Sequence, residues 1–103
     1  MKAQRTIYDE GIDNIQAQIN KLQKNIDKLR RENDGYEKDR AATAKHLEDA
    51  QWTDKNEDET DIRFYEGAIR ANNKQIEADL AKIEKLKADL QDMMNLKNPG
   101  KNR

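Results

Sequence analysis

Few side chains in this sequence are suited to catalysis, and none form a recognisable catalytic set. His46 is the only histidine, and the 103 residues contain no cysteine and no serine. A Ser-His-Asp arrangement, a thiolate nucleophile and a cysteine-based zinc site are therefore all excluded. No glycine-rich phosphate loop is present either. We expect a non-enzymatic protein with no catalytic residue, no cofactor and no small-molecule substrate.

Carboxylates are more plentiful, and one run of them resembles part of a calcium-binding loop. Asp54-Lys55-Asn56-Glu57-Asp58 places Asp, Asn and Asp at alternate positions. The sixth position of such a loop is normally Gly and the twelfth Glu, whereas here they are Glu59 and Tyr65. We therefore expect no metal site. We interpret the run as the solvated first turn of a helix, where the helix dipole favours negative charge.

The overall composition indicates long, solvated helices. Charged residues make up 40% and apolar residues 34%, and 20 Lys and Arg against 21 Asp and Glu leave a net charge of −1. One Pro and four Gly argue against a loop-rich fold. This composition excludes an α/β enzyme core, a β-sandwich and membrane insertion. A net charge near zero gives no reason to expect nucleic acid as a partner.

No apolar run of signal-peptide type occurs near the N-terminus. We expect a cytoplasmic protein, and export by a route without a cleaved signal stays open.

Two stretches of the chain have the heptad pattern of a coiled coil. In the first stretch the apolar residues are spaced 3, 4, 3, 4 and 3 apart, at Ile12, Ile15, Ile19, Leu22, Ile26 and Leu29. In the second, residues seven apart form the stripe Ile62, Ile69, Ile76, Ile83 and Leu90. Gly11 and Gly35 are weak points of the first helix, each costing about 1 kcal/mol relative to alanine.

The segment between the two stretches contains capping signals. Asn56 followed by Glu59 has the spacing of an N-cap and its N3 partner. In an antiparallel hairpin, the numbers of two residues that face each other add up to a nearly constant value. A value of 109 brings the two apolar seams together and places the reversal of the chain between Asp54 and Lys55. We therefore predict an all-α, coiled-coil-like antiparallel two-helix hairpin over residues 1–97. Its arms span about 6–51 and 57–96, its turn spans 52–56, and residues 98–103 form a flexible basic tail.

A lone hairpin buries one seam and leaves its outer faces wet, so we expect completion to a four-helix bundle by a helical partner or by a homodimer. The candidate partner-binding residues are either large aromatic residues near the turn or polar interruptions of the seam. They are Trp52, Phe64, Tyr65, Asn33, Tyr36 and Asn72. An alternative interpretation is that Trp52 packs over the turn and that the asparagines are simply tolerated in a wetter stretch.

Opposite charges are separated along the chain. A basic stretch runs from Lys21 to Arg31, and acidic residues from Glu48 to Asp61 surround the predicted turn. No aromatic residues interleave with the lysines, so we interpret the stretch as a charged helix face. A further hypothesis is that two copies align head to tail.

A chain near 100 residues, folded as a helical hairpin with Trp52-Thr53-Asp54 at its turn, resembles the small Trp-x-Gly proteins of bacterial type VII secretion. It resembles more closely their helical relatives encoded beside LXG toxins. Asp54 stands where that family has Gly, and neither Phe64 nor Tyr65 has the acidic residue four positions later that forms the family's export signal. The resemblance implies an accessory, targeting or chaperone-like factor that binds a helical region of a secreted toxin.

Two other functions stay open. One is a self-assembling coiled-coil scaffold or spacer, of phage origin for example. The other is a prefoldin-like holdase, which needs apolar residues at the arm ends, where Ile7, Tyr8, Met93, Met94 and Leu96 would lie together.

Overall fold

The computed structural model describes residues 6–49 and 52–97, apart from the side chains of residues 52–54. Its two elements are α1, Ile7–Asp49, and α2, Trp52–Lys97, of 43 and 46 residues. The helices run antiparallel as a hairpin, and the described residues contain no strand. The predicted all-α two-helix hairpin is confirmed. Neither described helix contains an apolar stretch long enough to span a lipid bilayer.

A reciprocal cap fixes the start of α1. The Asp9 backbone N–H donates to the Thr6 hydroxyl at 3.2 Å, and the Thr6 backbone N–H donates to the Asp9 carboxylate at 2.9 Å. Each side chain satisfies an amide that a helix end leaves without an intrahelical partner. The first turn of α1 is acidic at Asp9 and Glu10, which complements the positive end of the helix dipole.

The start of α2 differs from the prediction. The predicted turn over 52–56 is wrong, because these residues are helical and α2 begins at Trp52 instead of residue 57. No Gly or Pro separates Trp52 from Asp61, so nothing in the covalent structure stops the helix there. Asn56 does not cap α2, because the helix begins four residues earlier. Within the helix its carbonyl accepts a 2.8 Å hydrogen bond from the Thr60 hydroxyl. Residues 50 and 51 lie outside the described residues, as does the predicted tail, 98–103.

The chain divides into two compact units, each built from a segment of both helices. Unit 1 comprises Met1–Asn25 and Ala78–Arg103, and unit 2 comprises Ile26–Glu77. In unit 1 the buried apolar residues are Ile19 and Ile83, which are 8% and 3% exposed. In unit 2 they are Ile26 and Ile76, at 3% and 7%. All four belong to the predicted isoleucine stripes, so the heptad pattern identified the core correctly.

The register between the helices is about half a heptad away from the predicted one. In unit 1, Asn25 contacts Asp79, and an added Cβ on Gly11 would lie 2.8 Å from Met93 Cε; both pairs have numbers that add up to 104. In unit 2 the numbers of Asn33 and Asn72 add up to 105. The predicted value of 109 is wrong. It paired the isoleucine stripe of α1 with the isoleucine stripe of α2. In the structure the isoleucine stripe of each helix instead faces the other inward stripe of the opposite helix.

Unit 1 ends at an ion pair between the two helix ends. Lys97 Nζ donates to Asp9 Oδ1. The Lys97 ammonium, followed by the backbone N–H of Thr6, lowers the pKa of Asp9 from 3.8 to about 2. Around this pair several apolar side chains face solvent, with Ile7 79% exposed and Leu96 61% exposed. The ion pair therefore joins the helix ends, and their apolar side chains are left uncovered.

Candidate partner-binding surface

Three aromatic side chains of unit 2 cluster across α1 and α2. The ring centroids of Tyr36 and Tyr65 lie 6.2 Å apart, and those of Tyr36 and Phe64 lie 6.3 Å apart at an interplanar angle of 86°. Phe64 and Tyr65 are 5.7 Å apart at 70°. The two contacts of Phe64 are edge-to-face, a geometry in which the positive edge of one ring meets the negative face of the other, whereas the two tyrosine rings are tilted. We call Tyr36, Phe64 and Tyr65 the aromatic surface.

Helix periodicity determines which of these rings faces solvent. Tyr36 follows Asn33 by three positions and Tyr65 follows Asp58 by seven, so both tyrosines lie on inward stripes and are half-buried. Phe64 is one position earlier on α2 and turns outward, where it is 63% exposed. A large apolar ring is therefore presented to solvent on a support of two tyrosines.

A layer of amide side chains lies next to the aromatic surface. Asn33 Nδ2 donates to Asn73 Oδ1 at 3.0 Å, and Asn72 Nδ2 donates to Asn33 Oδ1 at 3.0 Å. Asn72 also donates to the Glu32 carboxylate at 3.3 Å. Among the described residues no buried side-chain nitrogen or oxygen lacks a hydrogen-bond partner. The asparagine layer is thus a satisfied polar interruption of the seam, which fixes register at a cost in stability.

The charges beside the aromatic surface are solvated. Arg40 donates to Glu37 at 2.8 Å and lies 3.7 Å from Glu66, and all three side chains are between 40% and 49% exposed. Ion pairs of this kind contribute only about 0.2–1 kcal/mol each. The local field therefore adds little, and recognition at this surface would depend on apolar contact.

One carboxylate in the acidic region of α2 is buried, contrary to the prediction. We expected Asp58 to belong to a solvated acidic run, yet it is 8% exposed, and its carboxylate lies 2.6 Å from His46 Nδ1. The His46 side chain is 62% exposed. Asp58 lies on an inward stripe of α2, and the imidazole of α1 provides it with a hydrogen-bond partner. His46 is therefore a structural partner of a carboxylate.

A second buried carboxylate lies in unit 1. Asp79 is 1% exposed and accepts a 2.7 Å hydrogen bond from Asn25 Nδ2. Asp79 was not predicted to be buried, although the heptad pattern of α2 indicates it. The stripe offset from the isoleucines of α2 consists of residues seven apart, namely Asp58, Tyr65, Asn72, Asp79, Leu86 and Met93. All six are buried or half-buried, so one of the two inward stripes of α2 is largely polar.

The structure thus brings five of the six candidate partner-binding residues into two neighbouring groups. Tyr36, Phe64 and Tyr65 form the aromatic surface, and Asn33 and Asn72 belong to the amide layer. Trp52 is the first residue of α2, and its side chain lies outside the described residues.

The chemistry available at these groups is apolar contact and hydrogen bonding. Within the described ranges, 6–49 and 52–97, no group of three or more His, Asp or Glu side chains is arranged to hold a metal ion. Comparison with models of protein families, with curated proteins and with solved structures finds no match to this chain.

Proposed function

We propose that this chain is a non-enzymatic helical partner protein, which binds a helix of another protein across its aromatic surface as an accessory or chaperone-like factor. The observation that carries the proposal is Phe64, which is 63% exposed and packs edge-on against two tyrosines. Fully burying such a side chain contributes about 1.5–3 kcal/mol. A rigid aromatic anchor is the kind of residue on which binding energy concentrates.

The hairpin also favours a helix as the bound element. The aromatic surface contains Tyr36 of α1 and Phe64 of α2, so both helices contribute to it. A third helix with apolar residues on one face can lie along such a pair and continue the packing of a helical bundle. The resemblance to the LXG-toxin-associated helical proteins supports a secreted toxin as the partner and its helical region as the bound segment.

Site-specific photo-crosslinking tests this proposal in cells that express the chain together with its neighbouring genes. A photoreactive phenylalanine analogue replaces Phe64. The matched control carries the same analogue at Glu77, which is exposed and lies roughly opposite Phe64 around α2, since 13 residues advance a helix by about 220°. We expect one protein other than this chain to be captured from position 64 and not from position 77. Equal capture from both positions would contradict the proposal.

Reconstitution then measures the interaction with purified components. The helical region of the captured protein is titrated into wild type, Phe64→Ala and Glu77→Ala. Loss of the anchor should weaken binding at least about tenfold, the equivalent of 1.4 kcal/mol, while the Glu77 variant binds as wild type does. If Phe64→Ala binds with the same affinity as wild type, the aromatic surface does not take part in the interaction.

A second candidate function, a holdase for unfolded clients, has support from a different place in the molecule. Ile7 and Leu96 are 79% and 61% exposed, and the Asp9–Lys97 pair holds their helix ends together. Exposed apolar patches of this kind mark binding sites. If the chain is a holdase, it should suppress aggregation of an unrelated thermally unfolded enzyme. Ile7→Lys with Leu96→Lys should abolish that suppression, and Phe64→Ala should leave it intact.

A further inference from the structure

Unit 1 contains an open groove that the proposed function does not use. Its floor is formed by Leu22 of α1 and Leu86 of α2, both half-buried, and its volume is about 500 Å³. Its sides are formed by polar side chains of the two helices, which are Gln18, Lys21, Lys82, Lys85 and Asp89. The groove is therefore lined by two leucines and by more positive than negative side chains, three lysines and one aspartate.

The lysines define the charge of the groove. Lys21, Lys82 and Lys85 are exposed, and none has a salt-bridge partner in the described part of the chain. Long lysine stems can cover apolar surface while their ammonium groups stay in water. An occupant that suits the groove therefore inserts an apolar side chain and carries acidic side chains beside it.

The chain itself carries a matching stripe on α2 of unit 2. Glu57, Asp61 and Phe64 follow one another at spacings of four and three residues, so they share one helix face. All three are exposed, and Phe64 is the large apolar residue of the set. We call these three residues the acidic stripe.

We propose that the chain associates with itself, the acidic stripe of one copy docking in the lysine-rimmed groove of a second copy. Phe64 enters between Leu22 and Leu86, and Glu57 and Asp61 face the lysines of the second copy. Complementary charge guides the encounter and fixes the register, and burial of the ring supplies the apolar contact.

One consequence concerns the proposed partner. Self-association covers Phe64, so a second copy and a helical partner compete for the same ring. The chain would shield its own exposed phenylalanine until a partner displaces the second copy. Self-association goes beyond partner binding and is measured on the purified chain alone, so either proposal can fail without the other.

A charge-swap series followed by sedimentation equilibrium tests the self-association. Wild type should have an average mass above that of one chain at high concentration, and rising salt should lower it. Lys82→Glu with Lys85→Glu should weaken association at least about tenfold, and Glu57→Lys with Asp61→Lys should do the same. Mixing the two double variants should restore association, because the reversed groove then meets the reversed stripe. The quadruple variant should associate within about threefold of wild type.

Matched controls separate this contact from general charge effects. Lys28→Glu with Lys38→Glu reverses two exposed lysines outside the groove and should leave association unchanged. Phe64→Ala should weaken association while helical content, measured by circular dichroism, stays at the wild-type level. A monomeric wild type, or a charge-swapped mixture that stays monomeric, would overturn the proposal. Association of wild type that the groove reversal leaves unchanged would also overturn it.

Discussion

Asn25 donates a 2.7 Å hydrogen bond to Asp79, a carboxylate that is 1% exposed. The pair joins α1 to α2 within unit 1 at a position where an aliphatic side chain would satisfy the heptad pattern. A buried carboxylate is costly unless it is hydrogen-bonded, and a shifted register would separate it from the amide of Asn25. The contact therefore favours the observed register over alternatives with equally apolar layers.

Removing the amide should be costly, while replacing both partners should not. Asn25→Ala leaves the buried carboxylate without this hydrogen bond and should lower the free energy of unfolding by about 1.5–3 kcal/mol. Asn25→Leu combined with Asp79→Leu should recover most of that loss, because no buried charge remains. Urea unfolding followed by circular dichroism measures both effects. An Asn25→Ala variant within 0.5 kcal/mol of wild type, roughly the scatter of surface substitutions, would contradict this role.

The His46–Asp58 contact in unit 2 should behave in a similar way. Asp58 is 8% exposed and lies 2.6 Å from His46 Nδ1. His46→Ala should therefore destabilise the protein by about 1–3 kcal/mol. Lys45→Ala changes an exposed neighbour and should have an effect within about 0.5 kcal/mol. If the two variants unfold at the same denaturant concentration, the imidazole does not support the carboxylate.

Acid should weaken the end of unit 1 over a defined range of pH. The pKa of Asp9 is lowered from 3.8 to about 2, so the folded state binds the proton less tightly than the unfolded state does. Its contribution to stability is therefore present above about pH 4 and is lost as the pH falls towards 2. Asp9→Asn should unfold at a lower temperature than wild type at pH 7, and the difference should disappear near pH 2.

The control for this titration is Asp34→Asn, which changes an exposed aspartate in the same helix. Its melting temperature should follow that of wild type in parallel through the acid range. A constant gap between Asp9→Asn and wild type from pH 7 to pH 2 would show that the ion pair and cap do not depend on the charge of Asp9.

The two glycines of α1 should respond differently to alanine. Nothing lies within 4 Å of a Cβ added to Gly35, so Gly35→Ala should raise the free energy of unfolding by up to about 1 kcal/mol. A Cβ added to Gly11 would lie 2.8 Å from Met93 Cε, so the methionine must move and the gain should be smaller or reversed. Thermal unfolding of the two variants measures the difference. A larger gain for Gly11→Ala would contradict the close approach of Met93.

The fold and part of the candidate site could be predicted from the sequence because they depend on local periodicity. The spacing of Ile19, Ile26, Ile76 and Ile83 identified the buried layers. The periodicity of a single helix cannot identify the residue across the seam. The sequence therefore did not predict that Asn33 pairs with Asn72 or that Tyr36 contacts Phe64. Both contacts depend on the register between the two helices.

The sequence by itself determined that the chain forms two amphipathic helices that pack antiparallel, since a stripe of isoleucines every seven residues can be buried in only a few ways. Only the tertiary structure decided where α2 begins and which residues face each other. Several registers bury the isoleucines almost equally well, and the choice among them depends on contacts between residues of different helices. Asn25 with Asp79 and His46 with Asp58 are two such contacts, and they hold the helices half a heptad away from the register that the apolar pattern predicts.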